Sequence, residues 1–105
     1  MNYKMYKPLP DYLTVKDSSI HGLGLFAVEQ IEVDVNIGVT HIIYKGFPDG
    51  CIRTPLGGFG NHSDNPNCIK FFMDNAWHLY TNRTIHPGEE ITWKYSFYEI
   101  KNEEK

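Results

Sequence analysis

The sequence predicts a mostly β fold made of short strands. Runs of β-branched and aromatic residues alternate with turns that contain glycine or proline, and aromatic residues make up 14% of the chain. No window of helical length shows an apolar repeat of 3.6 residues. With 105 residues, the chain is expected to form one domain with a small core. We therefore expect several small sheets and little helix.

Six segments carry the strand pattern in chain order. An extended lead-in covers residues 1–10, and a charged tail that is expected to fray covers residues 101–105. Between them, the predicted strands are residues 12–15, 25–28, 36–44, 68–73, 76–82 and 90–95.

The turns between these strands are predicted from their composition. Asp74 and Asn75 separate two strand runs, which is typical of a tight hairpin. Residues 51–60 contain Pro55 and three glycines, so no regular helix is expected there. Glycine and proline also indicate turns at residues 46–50 and 86–88.

The charge of the chain argues against nucleic-acid binding. The formal net charge is −3, and the lysine and arginine residues form no basic stripe of the kind that follows a phosphate backbone. The high aromatic content keeps a small β-barrel that binds single strands as an alternative. A mild negative charge serves solubility, or it attracts a basic peptide.

Cysteine content and hydropathy predict a reduced, intracellular protein. Cys51 and Cys68 form no CxxC pair, so a structural zinc site is not expected, and reduced thiols are a simpler interpretation than a disulfide. The apolar runs are too short to span a membrane, and residues 1–6 do not resemble a signal peptide. We expect a non-secreted protein with no membrane partner, in either the nucleus or the cytoplasm of a host.

A glycine-rich loop lies between the first two predicted strands. The sequence HGLG covers His21, Gly22, Leu23 and Gly24, and glycine lets a backbone approach a ligand closely. It lacks the full GxGxxG pattern and no helix pattern follows, so a Rossmann phosphate loop fits poorly. A plain tight turn is the alternative interpretation.

Two further segments carry residues suited to a binding site. The sequence NHSDNPN begins with Asn61, whose amide can hold an amino or carboxylate group, and His62. A turn without a ligand is the alternative, and the other histidines are too dispersed to support a metal site. The sequence GEEITWKY contains Trp93 and Tyr95, which are predicted to face the same side of a strand. They form either a core pair or an aromatic wall with one phenol.

These three segments, in this order, resemble the SET-domain family of protein lysine methyltransferases. Residues 21–27 resemble the GxG segment of the family, residues 61–67 match its NHSxxPN signature in full, and residues 88–95 match GEEIT-x-x-Y. The likeness covers about residues 13–98, so residues 1–105 are predicted to form a single minimal SET-like domain. It implies a pseudoknotted β fold, in which residues 61–63 thread against residues 90–95.

The resemblance implies a site for S-adenosylmethionine, which leaves as S-adenosylhomocysteine, and no metal. Asn61 would hold the methionine end of this cofactor, His62 would contact its adenine mainly through the main chain, and Tyr95 would be the catalytic residue. The glycine loop would contact the cofactor through its backbone, at His21, Gly22, Leu23, Gly24 and Leu25. The lysine channel would be lined by Tyr44, Trp93, Phe97 and Tyr98.

Trp93 carries a further expectation about the product. In the family, the aromatic residue two positions before the catalytic tyrosine helps to set how many methyl groups fit. Tryptophan has no phenol there to hold a water, so the resemblance favours a product beyond monomethyl-lysine. Simple core packing is the alternative for this side chain.

The chain departs from most of the family in two places. The stretch between Tyr44 and Asn61 is short, and no cysteine-rich segment follows Tyr98, as in the minimal SET proteins of viruses and bacteria. The resemblance implies a lysine-bearing protein or peptide as substrate, with a histone tail as one candidate. A homodimer partner or the substrate would complete the site, and the apolar surface of so small a chain also favours a homodimer. A non-catalytic SET-like module that binds a peptide or the cofactor is the alternative.

Overall fold

The computed structural model describes residues 8–48 and 50–95. Within these residues it has eight strands and one short helix. In chain order they are β1 (Leu13–Asp17), β2 (Leu23–Ala27), β3 (Asn36–Ile43), β4 (Cys51–Arg53), α1 (Pro55–Phe59), β5 (Asn61–His62), β6 (Cys68–Met73), β7 (Ala76–Thr81) and β8 (Glu90–Trp93). The predicted mostly β fold with little helix is confirmed.

The first sheet has the strand order β1-β2-β8-β5. β8 lies antiparallel to β2 and parallel to β5, with Asn61 beside Thr92 and His62 beside Trp93. The N–H of Ser63 donates to the carbonyl oxygen of Trp93 at 3.1 Å and extends this pairing. The last strand is therefore inserted between two strands that precede it in the chain, as the threading of residues 61–63 against 90–95 requires.

The second sheet has the order β4-β3-β7-β6 and is antiparallel throughout. β6 and β7 form the predicted hairpin, in which Met73 pairs with Ala76 across a loop of Asp74 and Asn75. Both loop residues have positive φ, 53° and 64°, as a type I′ turn demands. Aspartate and asparagine tolerate this conformation better than other residues that carry a side chain.

Side chains from both sheets form one core. Leu79 of the second sheet and Ile91 of the first have no exposed surface, and Trp93 is 1% exposed. A pair of backbone hydrogen bonds between Ile31 and Ile85, each 2.8 Å long, joins two loops at this core. Because Ile91 and Trp93 both belong to β8, the strand that carries the last motif is anchored by apolar packing.

The prediction that residues 51–60 contain no regular helix was wrong. α1 is a one-turn helix capped by Thr54, because the Thr54 Oγ1 accepts a hydrogen bond from the N–H of Gly57 at 3.2 Å. Pro55 occupies the first turn, where its missing N–H has no intrahelical partner to lose. Gly57 is needed because a Cβ at this position would overlap the carbonyl group of Thr40. Glycine here serves the close packing of α1 on β3, which local propensity does not reveal.

Two short strands were also not predicted. β4 and β5 are three and two residues long, too short to show an alternating pattern. The six predicted strands are all present, with ends that agree within two residues. Within the described ranges, no helix combines the length and the apolar character needed to cross a membrane.

Candidate functional site

The side chain of Asn61 is buried at the start of β5 and is surrounded by acceptors. It is 5% exposed, and its Nδ2 lies 2.7 Å from Glu90 Oε2. The same nitrogen lies 3.2 Å from Ser18 Oγ and from the carbonyl oxygens of His21 and Leu23. An amide nitrogen has only two protons, so these acceptors saturate it. The amide oxygen Oδ1, which receives no hydrogen bond from the described residues, is the end left to accept one from a ligand.

Ser18 and Glu90 complete this cluster. Ser18 Oγ lies 2.9 and 2.8 Å from the two carboxylate oxygens of Glu90, and it accepts a hydrogen bond from the N–H of Ile20 at 2.9 Å. The half-buried carboxylate is thus held by a hydroxyl and the Asn61 amide, both neutral donors. Within the described part of the chain no ion pair involves Glu90.

The sequence motifs indicated no role for Ser18 or Glu90. Glu90 lies inside the GEEIT match, which was the one available signal for it. Ser18 lies outside all three motifs and is 72 residues from Glu90 in the sequence. Only the pairing of β1, β2 and β8 brings the two side chains into contact.

The glycine loop contributes to the cluster in two ways. Gly22 has a φ of +48°, a left-handed conformation that favours glycine. Gly24 lies against the cluster, because a Cβ there would overlap the carboxylate of Glu90 and come within 3.1 Å of Asn61 Nδ2. Leu25, which follows, is fully buried in the core, so only its backbone could contribute to a site. Backbone conformation at Gly22 and packing at Gly24 therefore favour glycine in this loop even without a ligand.

Tyr95 follows β8 and lies beside β5. Its hydroxyl donates a hydrogen bond to the carbonyl oxygen of Gly60 at 2.6 Å. Its backbone N–H donates to Nδ1 of His62 at 2.9 Å, and the two rings meet edge to face with centroids 5.3 Å apart. Gly60 immediately precedes Asn61, so the phenol is bonded to the residue next to the saturated amide. The structure thus brings together Asn61, His62 and Tyr95, the residues named from the last two motifs.

The hydrogen bonds of His62 define its tautomer. A backbone N–H can only donate, so the Nδ1 that receives the N–H of Tyr95 carries no proton. Nε2 lies 3.0 Å from Asp64 Oδ1 and donates its proton to that carboxylate. Through Nδ1, the side chain of His62 holds the backbone of Tyr95.

Trp93 packs next to Tyr95. Their ring centroids are 6.2 Å apart, and a Cβ at Gly60 would overlap the Trp93 ring. The Lys70 ammonium lies 5.8 Å from the centroid of Trp93 and 5.5 Å from that of Trp77, within cation–π range. A cavity of about 300 Å³ adjoins these rings and is lined by Pro66, Cys68, Ile69, Lys70, Trp77, Trp93 and Lys94.

The other predicted channel residues are placed differently. Tyr44 is 52% exposed, and its ring lies against Phe47 with centroids 5.4 Å apart. None of the contacts described for Tyr44 joins it to Tyr95. Phe97 and Tyr98 lie outside the described residues. The lining of the lysine channel therefore stays a prediction.

Cys68 is a buried free thiol that lines the cavity beside Trp93 and has low reactivity. Desolvation by burial raises the pKa of its thiol to about 12, with a smaller opposing effect of Arg83. It is therefore a neutral thiol near neutral pH, which is a poor nucleophile and a poor metal ligand. No group of three or more His, Cys, Asp or Glu residues within residues 8–48 and 50–95 is arranged to hold a metal.

The fold and the site together define a class of protein. It is a small β fold whose last strand lies between two earlier ones and whose tyrosine hydroxyl bonds to the backbone beside a buried asparagine. The family model of the SET domain matches residues 44–96, half of the chain. The chain belongs to the SET-domain family.

Two solved structures share the fold. A candidate histone methyltransferase of Plasmodium falciparum superposes with a TM-score of 0.67 at 23% identity, over 85% of this chain and 96% of that one. The methyltransferase domain of human PR domain-containing protein 2 superposes with a TM-score of 0.69 at 18% identity, over 84% of this chain and 79% of that one. At these identities the likeness concerns the fold. No curated protein sequence matches the chain.

Proposed function

We propose that this chain transfers a methyl group from S-adenosylmethionine to the side-chain amine of a lysine in a protein. The observation that carries the proposal is the hydrogen bond from the Tyr95 hydroxyl to the Gly60 carbonyl, next to the saturated amide of Asn61. It brings the phenol of Tyr95, which follows β8, to the residue that precedes Asn61 at the start of β5. Membership of the SET-domain family supports the same reaction.

The residues around Asn61 fit the amino-acid end of S-adenosylmethionine. An ammonium group needs hydrogen-bond acceptors, and the Asn61 Oδ1 is one that no described residue occupies. The carboxylate of Glu90, which no cation neutralises among the described residues, makes the cluster favourable for positive charge. When bound, the cofactor supplies an electrophilic methyl group on a positively charged sulfur.

Tyr95 would orient the acceptor lysine. Its hydroxyl donates its proton to Gly60, so towards the amine the phenol oxygen would act as the acceptor of an N–H. A free lysine has a pKa of about 10.4, so most side chains are protonated at neutral pH and cannot attack. An aromatic surrounding disfavours the charged amine and thereby favours the reactive neutral form.

The chemical step needs no covalent bond to the protein. S-adenosylmethionine held at Asn61 would supply the methyl group, and the neutral lysine amine oriented by Tyr95 would accept it. The surplus proton of the product amine goes to solvent. The contribution of the chain is to align the two reactants and to exclude water.

A basic segment such as a histone tail is our candidate substrate. The net charge of −3 favours the approach of a basic peptide over that of an acidic one. We propose that Trp93 favours a product beyond monomethyl-lysine. Tyr44, Phe97 and Tyr98 are proposed to line the rest of the lysine channel. Mass spectrometry of the product would count the methyl groups.

Transfer of labelled methyl groups from S-adenosylmethionine to histones and other lysine-bearing proteins tests the proposal. We expect transfer by the wild-type chain, loss of transfer in Tyr95→Phe, and retention in Tyr12→Phe, a matched loss of a phenol outside the cluster. Equal transfer by Tyr95→Phe would contradict the role of its hydroxyl. Calorimetric binding of the cofactor without transfer to any protein would favour the non-catalytic module instead.

A further inference from the structure

One face of the second sheet is apolar although it lies on the outside of the described chain. Residues that pair directly in an antiparallel sheet point to the same side, so the registers assign side chains to faces. Cys68 and Leu79, which have no exposed surface, indicate the side that packs into the core. The opposite side, here called the outer face, carries five large side chains that are 36–52% exposed: Ile42, Ile52, Ile69, Phe71 and Met73.

This arrangement departs from that of an ordinary one-sided sheet. An antiparallel sheet with one face on a core normally alternates apolar inward residues with polar outward ones. β6 instead directs Ile69, Phe71 and Met73 outward. The ring of Phe71 meets that of Tyr80 edge to face, with centroids 5.5 Å apart, which holds the aromatic part of the face in place. A contiguous exposed apolar patch of this kind indicates an interaction surface.

The lack of charged side chains on the outer face favours an uncharged, apolar partner. No Lys, Arg, Asp or Glu occupies the paired positions of this face in β3, β4, β6 and β7, where the polar members are Asn36, His78 and Tyr80. A basic substrate or a nucleic acid would gain no electrostatic attraction there. A second copy brings an equally uncharged apolar face, and a two-fold axis makes such a face complementary to itself.

The area of the outer face agrees with a reversible dimer. Phe71, 52% exposed, contributes about 100 Å² if an aromatic side chain offers about 200 Å², and the five side chains together contribute about 400 Å². Two copies, with the partly exposed residues between these side chains, would bury about 1,000 Å², the lower bound for a specific interface. We expect such a dimer to dissociate on dilution.

We propose that the outer face is a homodimer interface, in which two copies pack these sheets together about a two-fold axis. This proposal does not depend on the cofactor cluster or on methyl transfer, so its test is independent of the test of the proposed function. The full chain is examined by analytical ultracentrifugation over rising protein concentration. Phe71→Glu tests the face, and Val33→Glu adds the same charge at a side chain that is 46% exposed and lies outside both sheets.

The wild-type chain and Val33→Glu are expected to dimerise with the same dissociation constant. Phe71→Glu should raise that constant by at least about tenfold, because a buried unpaired carboxylate opposes association. Met73→Glu, 40% exposed on the same strand, gives a second test if Phe71→Glu does not fold by near-ultraviolet circular dichroism. A wild-type chain that stays monomeric at the highest concentration would overturn the proposal and leave the face to a different protein. Dimerisation of the folded face variants at wild-type strength would also overturn it.

Discussion

The hydroxyl of Tyr95 donates a hydrogen bond to the carbonyl oxygen of Gly60 at 2.6 Å, between residues 35 positions apart. A second bond, from the N–H of Tyr95 to His62, holds the backbone of the same residue. With both ends of the tyrosine held by one strand segment, the direction of the phenol lone pairs is set before any substrate binds. Such preorganisation is what a reaction that depends on alignment requires.

The bond from the Tyr95 backbone to His62 predicts a selective loss of turnover. In His62→Ala the acceptor is removed, and we expect kcat to fall about tenfold, the factor that corresponds to about 1.4 kcal/mol and to one ordinary hydrogen bond. Binding of S-adenosylhomocysteine, measured by calorimetry, should change little because the side chain of His62 does not touch the Asn61 cluster.

Two variants act as controls for His62. His62→Asn should recover much of the lost turnover, since its amide oxygen can accept the same N–H. Asp64→Asn should have little effect, because the Asp64 side chain is 86% exposed and touches His62 on the far side of the ring. Weaker cofactor binding with unchanged kcat in His62→Ala would contradict this role.

The contact between Gly60 and Trp93 predicts a difference between two glycines in the same segment. Gly60→Ala forces a methyl group into the Trp93 ring and should lower the free energy of unfolding by about 3 kcal/mol, measured by urea denaturation. Gly58→Ala meets only Arg53 Cδ at 3.7 Å, an ordinary contact, and lies inside α1. It should raise stability by about 0.5 kcal/mol, because alanine is the better helix former. Equal stabilities of the two variants would argue against the Gly60 contact.

The carboxylate of Glu90 predicts a loss of cofactor affinity. Glu90→Gln removes the negative charge and places an amide against the Asn61 Nδ2 and the Ser18 hydroxyl. We expect the dissociation constant for S-adenosylhomocysteine to rise at least about tenfold, since hydrogen bonds to charged groups contribute about 1.5–3 kcal/mol.

Glu89→Gln is the matched control for Glu90. Glu89 forms a partly exposed pair with Arg83 at 3.3 Å and accepts the N–H of His86, away from Asn61. Its replacement should leave cofactor affinity close to that of the wild-type chain. Parallel losses in the two variants would indicate a general effect of negative charge, not a specific one at Asn61.

The buried thiol of Cys68 predicts a decline of stability in alkaline solution. Burial raises its pKa from 9.0 to about 12, so the unfolded chain loses this proton before the folded chain does. The free energy of unfolding should therefore fall as the pH rises above about 9, by up to about 1.4 kcal/mol per pH unit, and should be unaffected by this group below that value.

The pH dependence of Cys68→Ala is the comparison for this prediction. Urea unfolding between about pH 9 and 10 should show a shallower decline in Cys68→Ala than in the wild-type chain. Above that range, Tyr12 adds its own decline, because burial, together with Cys68, also raises the pKa of its phenol above 10.0. Identical slopes for the two chains would show that Cys68 ionises as readily in the folded state as in the unfolded one.

The sequence alone was enough to predict what depends on neighbouring residues and on ordered motifs. Runs of β-branched and aromatic residues indicated six strands, and the Asp74–Asn75 pair indicated a hairpin, because strand propensity and turn conformation are local properties. The three motifs, in their order, named Asn61, His62 and Tyr95, and the structure brings these residues together.

Contacts between distant segments were decided by the tertiary structure. Ser18 meets Glu90, Gly24 makes room for that carboxylate, and Gly57 makes room for Thr40, so that α1 forms where glycine and proline argued against a helix. The position of the outer face also depends on contacts between distant strands. A local sequence shows that a strand has two sides, but it does not show which side meets the core. Such outcomes depend on which strands become neighbours, and strand order is a property of the whole chain that no short window of sequence contains.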